Sequence, residues 1–204
     1  MASGFANDPH SERGHACPKN LFGIADYAEL LIYEAPLVAA RGFELEDKGI
    51  TGDFTPTHLR AIHHYLFQDV FPWAGEFRVV NISKGNQLFG PALHIAAALD
   101  DALTKLHREA LLINLTPPAF AARAAFYLGE INAIHPFREG NGRTQREFIR
   151  QLALHATHPL SWHGFTQQQM IDASILSHTR GDNTALAAII KAALFSTRES
   201  AETA

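Results

Sequence analysis

Apolar residues recur along most of this chain with the spacing of an α-helix rather than that of a β-strand. The first helical pattern spans residues 26–41, and Pro36 within it is expected to kink the helix or divide it in two. Residues 43–54 carry charges and glycines and are predicted to be a connection. Thr55-Pro56 then places a capping hydroxyl before a proline at a first helical position, which predicts the start of a second helix.

A β-strand signal is confined to residues 77–89. Residues 79–83 are rich in β-branched side chains, Lys84-Gly85-Asn86 is a turn sequence, and residues 87–89 can return as a second strand. An isolated hairpin is marginally stable in water, so this one must pack on helices. We therefore predict a β-hairpin flap that lies across a helical body.

Further helical patterns follow the predicted flap. One opens at Pro91 and runs to about Leu112. Thr116-Pro117 repeats the cap-and-proline signal and begins a helix that is apolar on more than one face, which marks it as buried and central. Pro136 ends this central helix, because a proline disfavours the helical conformation in the residue before it.

The remaining helical patterns cover residues 143–155, a segment that the capping box at Thr166 opens, and a last segment after Asp182-Asn183. The fold class is therefore predicted to be all-α. We expect a helical bundle of roughly seven or eight helices around a buried central helix, with one β-hairpin flap.

The composition describes a single domain. The chain has 204 residues, of which 47% are hydrophobic, enough to bury a core. Residues 1–20 are expected to be a surface segment and residues 196–204 a polar tail. The single Cys17, expected to be an exposed thiol, excludes an internal disulfide and fits a reducing compartment.

The net charge and the hydropathy of the chain limit the classes of partner that we expect it to bind. The net charge of −4 argues against general nucleic-acid binding, which needs a basic surface, so no direct nucleic-acid partner is expected. The N-terminus lacks the features of a secretory signal, and no apolar run reaches the ~18–20 residues that a membrane span needs. We therefore expect a cytoplasmic protein without membrane association.

Residues 135–146 combine residue types that act together in nucleotide chemistry. Gly140-Asn141-Gly142 lets the backbone approach a ligand without a Cβ atom in the way. The helix that begins beyond it directs unpaired N–H groups and a positive dipole end at the loop, where they favour an anion. Arg143 and Arg146 oppose that dipole in the first helical turn, and phosphate groups would be suitable anionic partners for both.

A carboxylate and a histidine complete this stretch. Glu139 would repel a phosphate unless a divalent cation lies between them, and Mg²⁺ binds through one or two carboxylates together with substrate phosphates. His135 can accept a proton from a hydroxyl near neutral pH. Each feature alone is ordinary, but the combination predicts transfer of a phosphorus-centred group from a nucleotide to a hydroxyl.

The stretch resembles the signature of the Fic domain family, H-P-F-x-[DE]-G-N-G-R-x-x-R, and matches it at every defined position. Residues 20–24, residues 69–76 and the predicted hairpin are also similar to Fic sequences, so the resemblance covers nearly the whole chain. It implies a protein adenylyltransferase, a nucleotidyltransferase that moves AMP from Mg²⁺-bound ATP to a Ser, Thr or Tyr hydroxyl of a target protein.

The resemblance also implies roles for individual residues. His135 would be the catalytic base, Glu139 the Mg²⁺ ligand, and Phe137 the anchor of the loop. Arg146 would hold the γ-phosphate, and residues 178–183 would contribute to the adenine pocket. Nucleotide binding would involve Lys84, Gly85, Gly140, Asn141, Gly142, Arg143 and Arg146. The flap that docks an extended target segment by strand addition would use Val80, Ile82, Ser83 and Lys84.

Many Fic proteins carry an inhibitory helix with the pattern [ST]-x-x-x-E-[GN], whose glutamate pairs with the second signature arginine. The pattern needs a glutamate four positions after a Ser or Thr, and neither end of this chain provides one. The residues at that position are Asn7 after Ser3, His15 after Ser11, Ser200 after Ser196 and Ala201 after Thr197. We therefore favour the toxin of a toxin–antitoxin pair, in which a small antitoxin would supply the glutamate to Arg146. The other reading is an enzyme without this regulation.

The target and the transferred group stay open. By resemblance, a type II topoisomerase subunit is the candidate target, and an injected effector that acts on host GTPases is the main alternative. Transfer of another nucleotide or of a bare phosphate is a rival reaction, although intact Asn141-Gly142-Arg143 disfavours the phosphate-transferring Doc-like branch. A non-catalytic nucleotide-binding adaptor is a rival of another class, and intact His135 and Glu139 count against it because a pure binder needs no base.

Overall fold

The computed structural model describes residues 8–11, 17–84 and 87–194. Over these residues the chain is mainly helical, as predicted. The α-helices are α1 (Tyr27–Lys48), α2 (Pro56–Phe67), α3 (Ile95–Arg108), α4 (Pro117–Ile134), α5 (Asn141–His155), α6 (Gln167–Arg180) and α7 (Thr184–Ala193). An antiparallel hairpin of β1 (Ser83–Lys84) and β2 (Gln87–Leu88) lies between α2 and α3.

Helix α4 is the buried central helix that the sequence predicts. It packs against α3, α5, α6 and α7. Its buried side chains lie on more than one face, as expected for a helix surrounded by others, and include Phe120, Ala121, Ala124, Ala125, Tyr127, Leu128 and Ile131. The stretch 135–146 therefore begins at the end of this buried helix.

Helix α1 runs through Pro36 as one helix, so of the expected kink or division the division is wrong, and the predicted connection over residues 43–48 is wrong too. Pro36 lies on the exposed side of the helix and removes one backbone hydrogen bond. The opposite face packs on α2 and buries Leu30, Val38 and Leu45. That packing outweighs the single lost bond and carries the helix to Lys48.

The hairpin is shorter than predicted. Ser83 pairs with Leu88 and Lys84 with Gln87, whereas residues 79–82 are not a strand. Their polar groups are satisfied in other ways, because the Val80 carbonyl accepts from Arg78 and the Asn81 side chain accepts from the backbone N–H of Ala92. The turn residues 85–86 lie outside the described residues.

The predicted helix over residues 91–112 is divided. A 3₁₀ turn, Ala92–His94, precedes α3, and a second one, Ala110–Leu112, follows it. The capping box at Thr166 is confirmed, since its hydroxyl accepts from the Gln169 N–H while the Gln169 side chain accepts from the Thr166 N–H. No helix within the described residues combines the length and hydropathy needed to cross a bilayer.

Within the expected surface segment of residues 1–20, the structure describes residues 8–11 and 17–20, and several of these are buried rather than exposed. Asp8 is 5% exposed and forms an ion pair with Arg138 of the stretch 135–146, at 2.7 Å. His10 stacks on Trp73 with ring centroids 5.0 Å apart. The prediction of an exposed Cys17 is also wrong: the thiol is buried, donates to the Ile24 carbonyl, and has its pKa raised by that burial.

Candidate active site

His135 ends α4 in the left-handed conformation, with φ 50° and ψ 65°. Pro136 excludes the helical region for the residue before it, and left-handed backbone costs roughly 1–2 kcal/mol in a residue with a Cβ atom. Two hydrogen bonds hold the strained residue: its N–H donates to the Ile131 carbonyl at 2.9 Å, and its carbonyl accepts from Arg78 Nε at 2.7 Å. The left-handed residue thus ends the helix and leads the chain into the loop.

The His135 ring is prepared to act as a base. Its Nδ1 lies 3.2 Å from the Asn132 carbonyl oxygen, which can only accept, so Nδ1 carries the proton and Nε2 carries the free electron pair. Phe89 stacks on the ring with centroids 3.7 Å apart. Burial, opposed by the bond to Asn132, lowers the pKa of His135 to about 4. The imidazole is therefore neutral at ordinary pH.

The loop between α4 and α5 is held by hydrogen bonds between a side chain and the backbone within the loop itself. Phe137 is buried, and its N–H and carbonyl both bond to the Asn141 side chain, at 2.9 and 2.8 Å. Gly140 has φ +78°, and a Cβ atom there would lie 2.4 Å from the Phe67 ring. The amide of Asn141 is thus engaged within the loop, and the N-terminus of α5 is of the kind that favours an anion.

Glu139 accepts a hydrogen bond from a neutral donor, since its Oε1 lies 3.2 Å from the Gly140 N–H. Burial and the nearby charge of Glu139 raise the pKa of the Tyr27 hydroxyl. Within the described ranges Glu139 forms no ion pair with a cationic side chain. A carboxylate whose charge no arginine or lysine balances, placed beside a helix N-terminus, fits the hard oxygen ligand that Mg²⁺ prefers.

The two signature arginines have different surroundings. Arg143 forms an ion pair with Glu34, a carboxylate of α1 with 0% exposure, and lies over the Phe67 ring at 4.7 Å. Arg146 is also partly buried, and that burial together with Arg143 lowers the pKa of its guanidinium. Its side chain forms no ion pair with any residue that the structure describes. Arg146 therefore keeps its charge for a ligand, whereas Arg143 already has an anionic partner.

Arg78 joins the flap to the end of α4. This fully buried guanidinium donates to the carbonyls of Val80, Gly90, Ile134 and His135. The flap residues Ser83 and Lys84 are exposed, and Lys84 is one of the charges that lower the pKa of His135. Val80 and Ile82 are partly exposed on the approach to the hairpin, and Gly85 lies outside the described residues.

Residues at the end of α6 approach the same histidine from another side. His178 lies 5.5 Å from Phe89, centroid to centroid, and its Nδ1 is buried without a hydrogen-bond partner among the described residues. Ser177 donates to Asn183 at 2.6 Å, and both side chains lie against Gly129 of α4, where a Cβ atom would not fit. The predicted adenine-pocket segment is thus near His135.

Sequence reasoning did not identify four residues that support the site: Tyr27, Glu34, His63 and Arg78. A signal existed for two of them. Glu34 stands between Leu30 and Val38 at four-residue spacing, which places a carboxylate on an apolar face, and Arg78 interrupts an apolar stretch. Tyr27 and His63 match their helical patterns and gave no sign of a role.

Comparison with known proteins identifies relatives along almost the entire chain. A family model described as "Fic/DOC family" matches residues 53–153. "Protein adenylyltransferase VbhT" of Bartonella schoenbuchensis is 41% identical over 91% of this chain, which spans 39% of that relative's length. "Probable protein adenylyltransferase Fic" of Salmonella typhimurium is 36% identical over 96% of both chains.

Solved structures share the fold. BepC, a VirB-translocated effector of Bartonella tribocorum solved with AMPPNP, has a TM-score of 0.83 and 23% identity over 92% of this chain and 97% of its own. The N-terminal Fic domain of a Bartonella quintana Bep effector, solved with ADP, has a TM-score of 0.84 and 24% identity over 95% and 98% of the two chains. The helical bundle with its short hairpin is therefore the architecture of these domains.

Proposed function

We infer that this chain, which belongs to the Fic/DOC family, is a protein adenylyltransferase. It transfers AMP from ATP to a Ser, Thr or Tyr hydroxyl of a target protein. The observation that carries the proposal is the pairing of a neutral His135, with its electron pair on Nε2, and a helix N-terminus flanked by Glu139 in the loop and Arg146 in α5. A base, a metal ligand and an anion site would thus occur within residues 135–146.

In the proposed reaction, His135 Nε2 accepts the proton of the target hydroxyl. The hydroxyl oxygen attacks the α-phosphorus of ATP, the bond from that phosphorus to the bridging oxygen breaks, and pyrophosphate leaves. Because the Asn132 carbonyl fixes the proton on Nδ1, the imidazole presents only Nε2 to the target. The lowered pKa keeps this base unprotonated in advance of the reaction.

The phosphates require positive charge and N–H donors. The start of α5 offers backbone N–H groups at Asn141 and Gly142, and Arg146 offers a guanidinium that can grip phosphate oxygens. We assign the γ-phosphate to Arg146 and the α- and β-phosphates to the helix N-terminus. Lys84 and Gly85 of the flap would approach the nucleotide from the opposite side, and Arg143 would act at the rim of the site.

Mg²⁺ would be held by Glu139 together with substrate oxygens. The ion would neutralise charge on the phosphates and make the pyrophosphate a better leaving group. Glu139 is suited to this role because its bond to the Gly140 N–H orients the carboxylate without cancelling its charge.

The hairpin is the proposed docking site of the target. Its strands are two residues long, Ser83, Lys84 and Leu88 are exposed, and residues 80 and 81 belong to no strand within the described part of the chain. An extended target segment could therefore add beside Val80, Ile82, Ser83 and Lys84 through main-chain hydrogen bonds. The register of that pairing would place a side-chain hydroxyl near His135.

We also propose that the protein acts in the cytoplasm as the toxin of a toxin–antitoxin pair. Arg146 has no ion-pair partner in the described structure, so a glutamate supplied by a small antitoxin could occupy it and exclude the γ-phosphate. A type II topoisomerase subunit is the proposed target class. The similarity to "Protein adenylyltransferase VbhT", of whose length this chain spans 39%, supports the transferase activity on which the toxin proposal rests.

The experiment that tests the activity combines the purified protein, Mg²⁺ and labelled ATP with a bacterial lysate. We expect label on a protein hydroxyl, confirmed by mass spectrometry as one added AMP, and we expect His135→Ala to abolish it while ATP binding is retained. His107→Ala, which removes an exposed histidine of α3, is the matched control and should remain active.

The same assay separates the rival functions. Label from another nucleoside triphosphate but not from ATP would show that the transferred group is not AMP. Nucleotide binding without label from any triphosphate, by the wild-type protein and in several lysates, would refute transfer and favour a binding module.

A further inference from the structure

His63 of α2 has 0% exposure, and both of its ring nitrogens are hydrogen-bonded. The Gly75 N–H donates to Nδ1 at 2.8 Å, and Nε2 lies 3.1 Å from the Glu139 carbonyl oxygen. An amide N–H can only donate and a carbonyl can only accept, so Nδ1 must be the acceptor and Nε2 must carry the hydrogen. The surroundings therefore allow one tautomer and one ring orientation.

Aromatic packing fixes the plane of the same ring. His63 stacks on Phe137 with centroids 3.9 Å apart and an interplanar angle of 14°. Phe67 lies against it at 4.7 Å and Trp73 at 6.0 Å. Burial lowers the pKa of His63 to about 3, so the ring stays neutral and keeps its acceptor for Gly75. The imidazole thus connects the turn after α2 with the loop that carries Glu139.

The bond to Glu139 acts on a particular peptide unit. The carbonyl of Glu139 and the N–H of Gly140 belong to one planar group and point in opposite directions. His63 holds the carbonyl end, and the N–H end donates to the carboxylate Oε1 of Glu139 at 3.2 Å. Any rotation of this peptide would therefore remove a donor from the carboxylate at the same time as it broke the bond to His63.

We propose that His63 is a positioning residue for the metal-binding carboxylate: through its Nε2–H bond it fixes the peptide between Glu139 and Gly140, and with it the orientation of the Glu139 side chain. The proposal rests on the function proposed above, in which Glu139 holds Mg²⁺. His63 does not touch substrate or metal. It acts through the backbone of the residue that does, as supporting groups beyond the ligands commonly do in metal sites.

Two variants divide the hydrogen bonds of His63 between them. In His63→Asn the amide oxygen can replace Nδ1 and accept from Gly75, but no donor reaches the Glu139 carbonyl. In His63→Gln the amide nitrogen can reach the position of Nε2 and donate to Glu139, while the acceptor for Gly75 is lost. Both variants lose the stacking on Phe137, so the loss of packing is matched between them.

The readout is the Mg²⁺ concentration that gives half of the maximal effect. It is measured from the rate of transfer and, independently of activity, from the rise in melting temperature that Mg²⁺ causes in the complex with a non-hydrolysable ATP analogue. We expect His63→Asn to need on the order of 10-fold more Mg²⁺ than the wild type, the range for loss of a supporting bond in metal sites. His63→Gln should stay within about twofold, because it keeps that bond.

Equal Mg²⁺ requirements in the two variants, whether both are impaired or both unchanged, would overturn the proposal, because a role in packing alone affects both alike. If the wild-type nucleotide complex shows no response to Mg²⁺, the metal role of Glu139 fails and this proposal fails with it. Absence of transfer alone would refute the enzymatic activity. The melting measurement would still decide whether His63 positions Glu139, because it does not depend on transfer.

A measurement on the wild-type protein covers the case in which the variants do not fold. Long-range ¹H–¹⁵N spectra of the histidine rings should show a protonated Nε2 for His63 and a shift of that resonance when Mg²⁺ is added to the nucleotide complex. His158 is the internal control, because its Nε2 bonds in the same way to the Leu115 carbonyl, at 2.8 Å, and it lies after the C-terminal end of α5 rather than beside the loop at its start. The opposite tautomer, or no shift at His63, would overturn the proposal.

Discussion

Replacing Arg143 with alanine tests the ion pair with Glu34. The substitution leaves a fully buried carboxylate without its cation, and removal of one partner of a buried pair costs about 3–5 kcal/mol. The Arg143 side chain is 33% exposed, so solvent screens part of the interaction and we expect the lower end, about 3 kcal/mol. For a domain of this size that corresponds to a fall in melting temperature of roughly 6–12 °C.

The loss should depend on pH. Burial raises the pKa of Glu34 and Arg143 opposes that rise, so the substitution raises the pKa further. A carboxyl whose pKa is higher in the folded than in the unfolded chain stabilises the fold at pH values below its pKa in the unfolded chain. That stabilisation is lost as the pH rises through its pKa in the folded chain. Between those values the free energy of unfolding of the variant falls by about 1.4 kcal/mol per pH unit relative to a carboxyl with no shift. The deficit should therefore be larger at pH 8 than at pH 5.

The assay is denaturant unfolding of the wild type, Arg143→Ala and the double variant Glu34→Gln/Arg143→Ala at both pH values. The double variant has no charge to bury, so its deficit should be nearly independent of pH. A single-variant deficit that is the same at pH 5 and pH 8, or a pH dependence that persists in the double variant, would refute the reasoning.

Two further predictions concern the site itself. The kcat/KM for AMP transfer should stay level from pH 8 to pH 6 and fall only as pH approaches about 4, because His135 must be neutral and its pKa is lowered to about 4. A midpoint near 6.5 in the pH dependence of kcat/KM would contradict this prediction. Arg78→Lys should lower the free energy of unfolding by about 3 kcal/mol and reduce transfer, because one ammonium cannot serve all four carbonyls and each one left buried without a donor costs about 1–3 kcal/mol. Wild-type stability in that variant, measured by denaturant unfolding, would contradict the second prediction.

Local signals made the centre of the fold predictable. The apolar faces of α4, the proline after His135 and the glycines before α5 act on residues near them in sequence, so the helix, its end and the next helix could be placed without long-range information. Pro36 misled the prediction for the opposite reason: its local effect is outweighed by packing of α1 on α2.

Support of the site by distant residues could not be predicted in the same way. Glu34 and Arg143 are 109 positions apart, and His63 and Glu139 are 76 apart. Such partners are set by how helices pack, which no local pattern encodes. The two arginines three residues apart looked equivalent in the sequence, and only the position of α1 distinguishes the one that is already paired.

Arg78 has a consequence for how this fold can diversify. Its guanidinium donates hydrogen bonds to both ends of the flap, at Val80 and Gly90, and to the backbone carbonyl of His135. Between those two ends residues 81–83 can change without loosening the Arg78 bonds to the histidine backbone, whereas Phe89 must stay because it stacks on the His135 ring. Exchanging residues 81–83 among family members should therefore change the target while His135 and the proposed nucleotide contact of Lys84 stay in place.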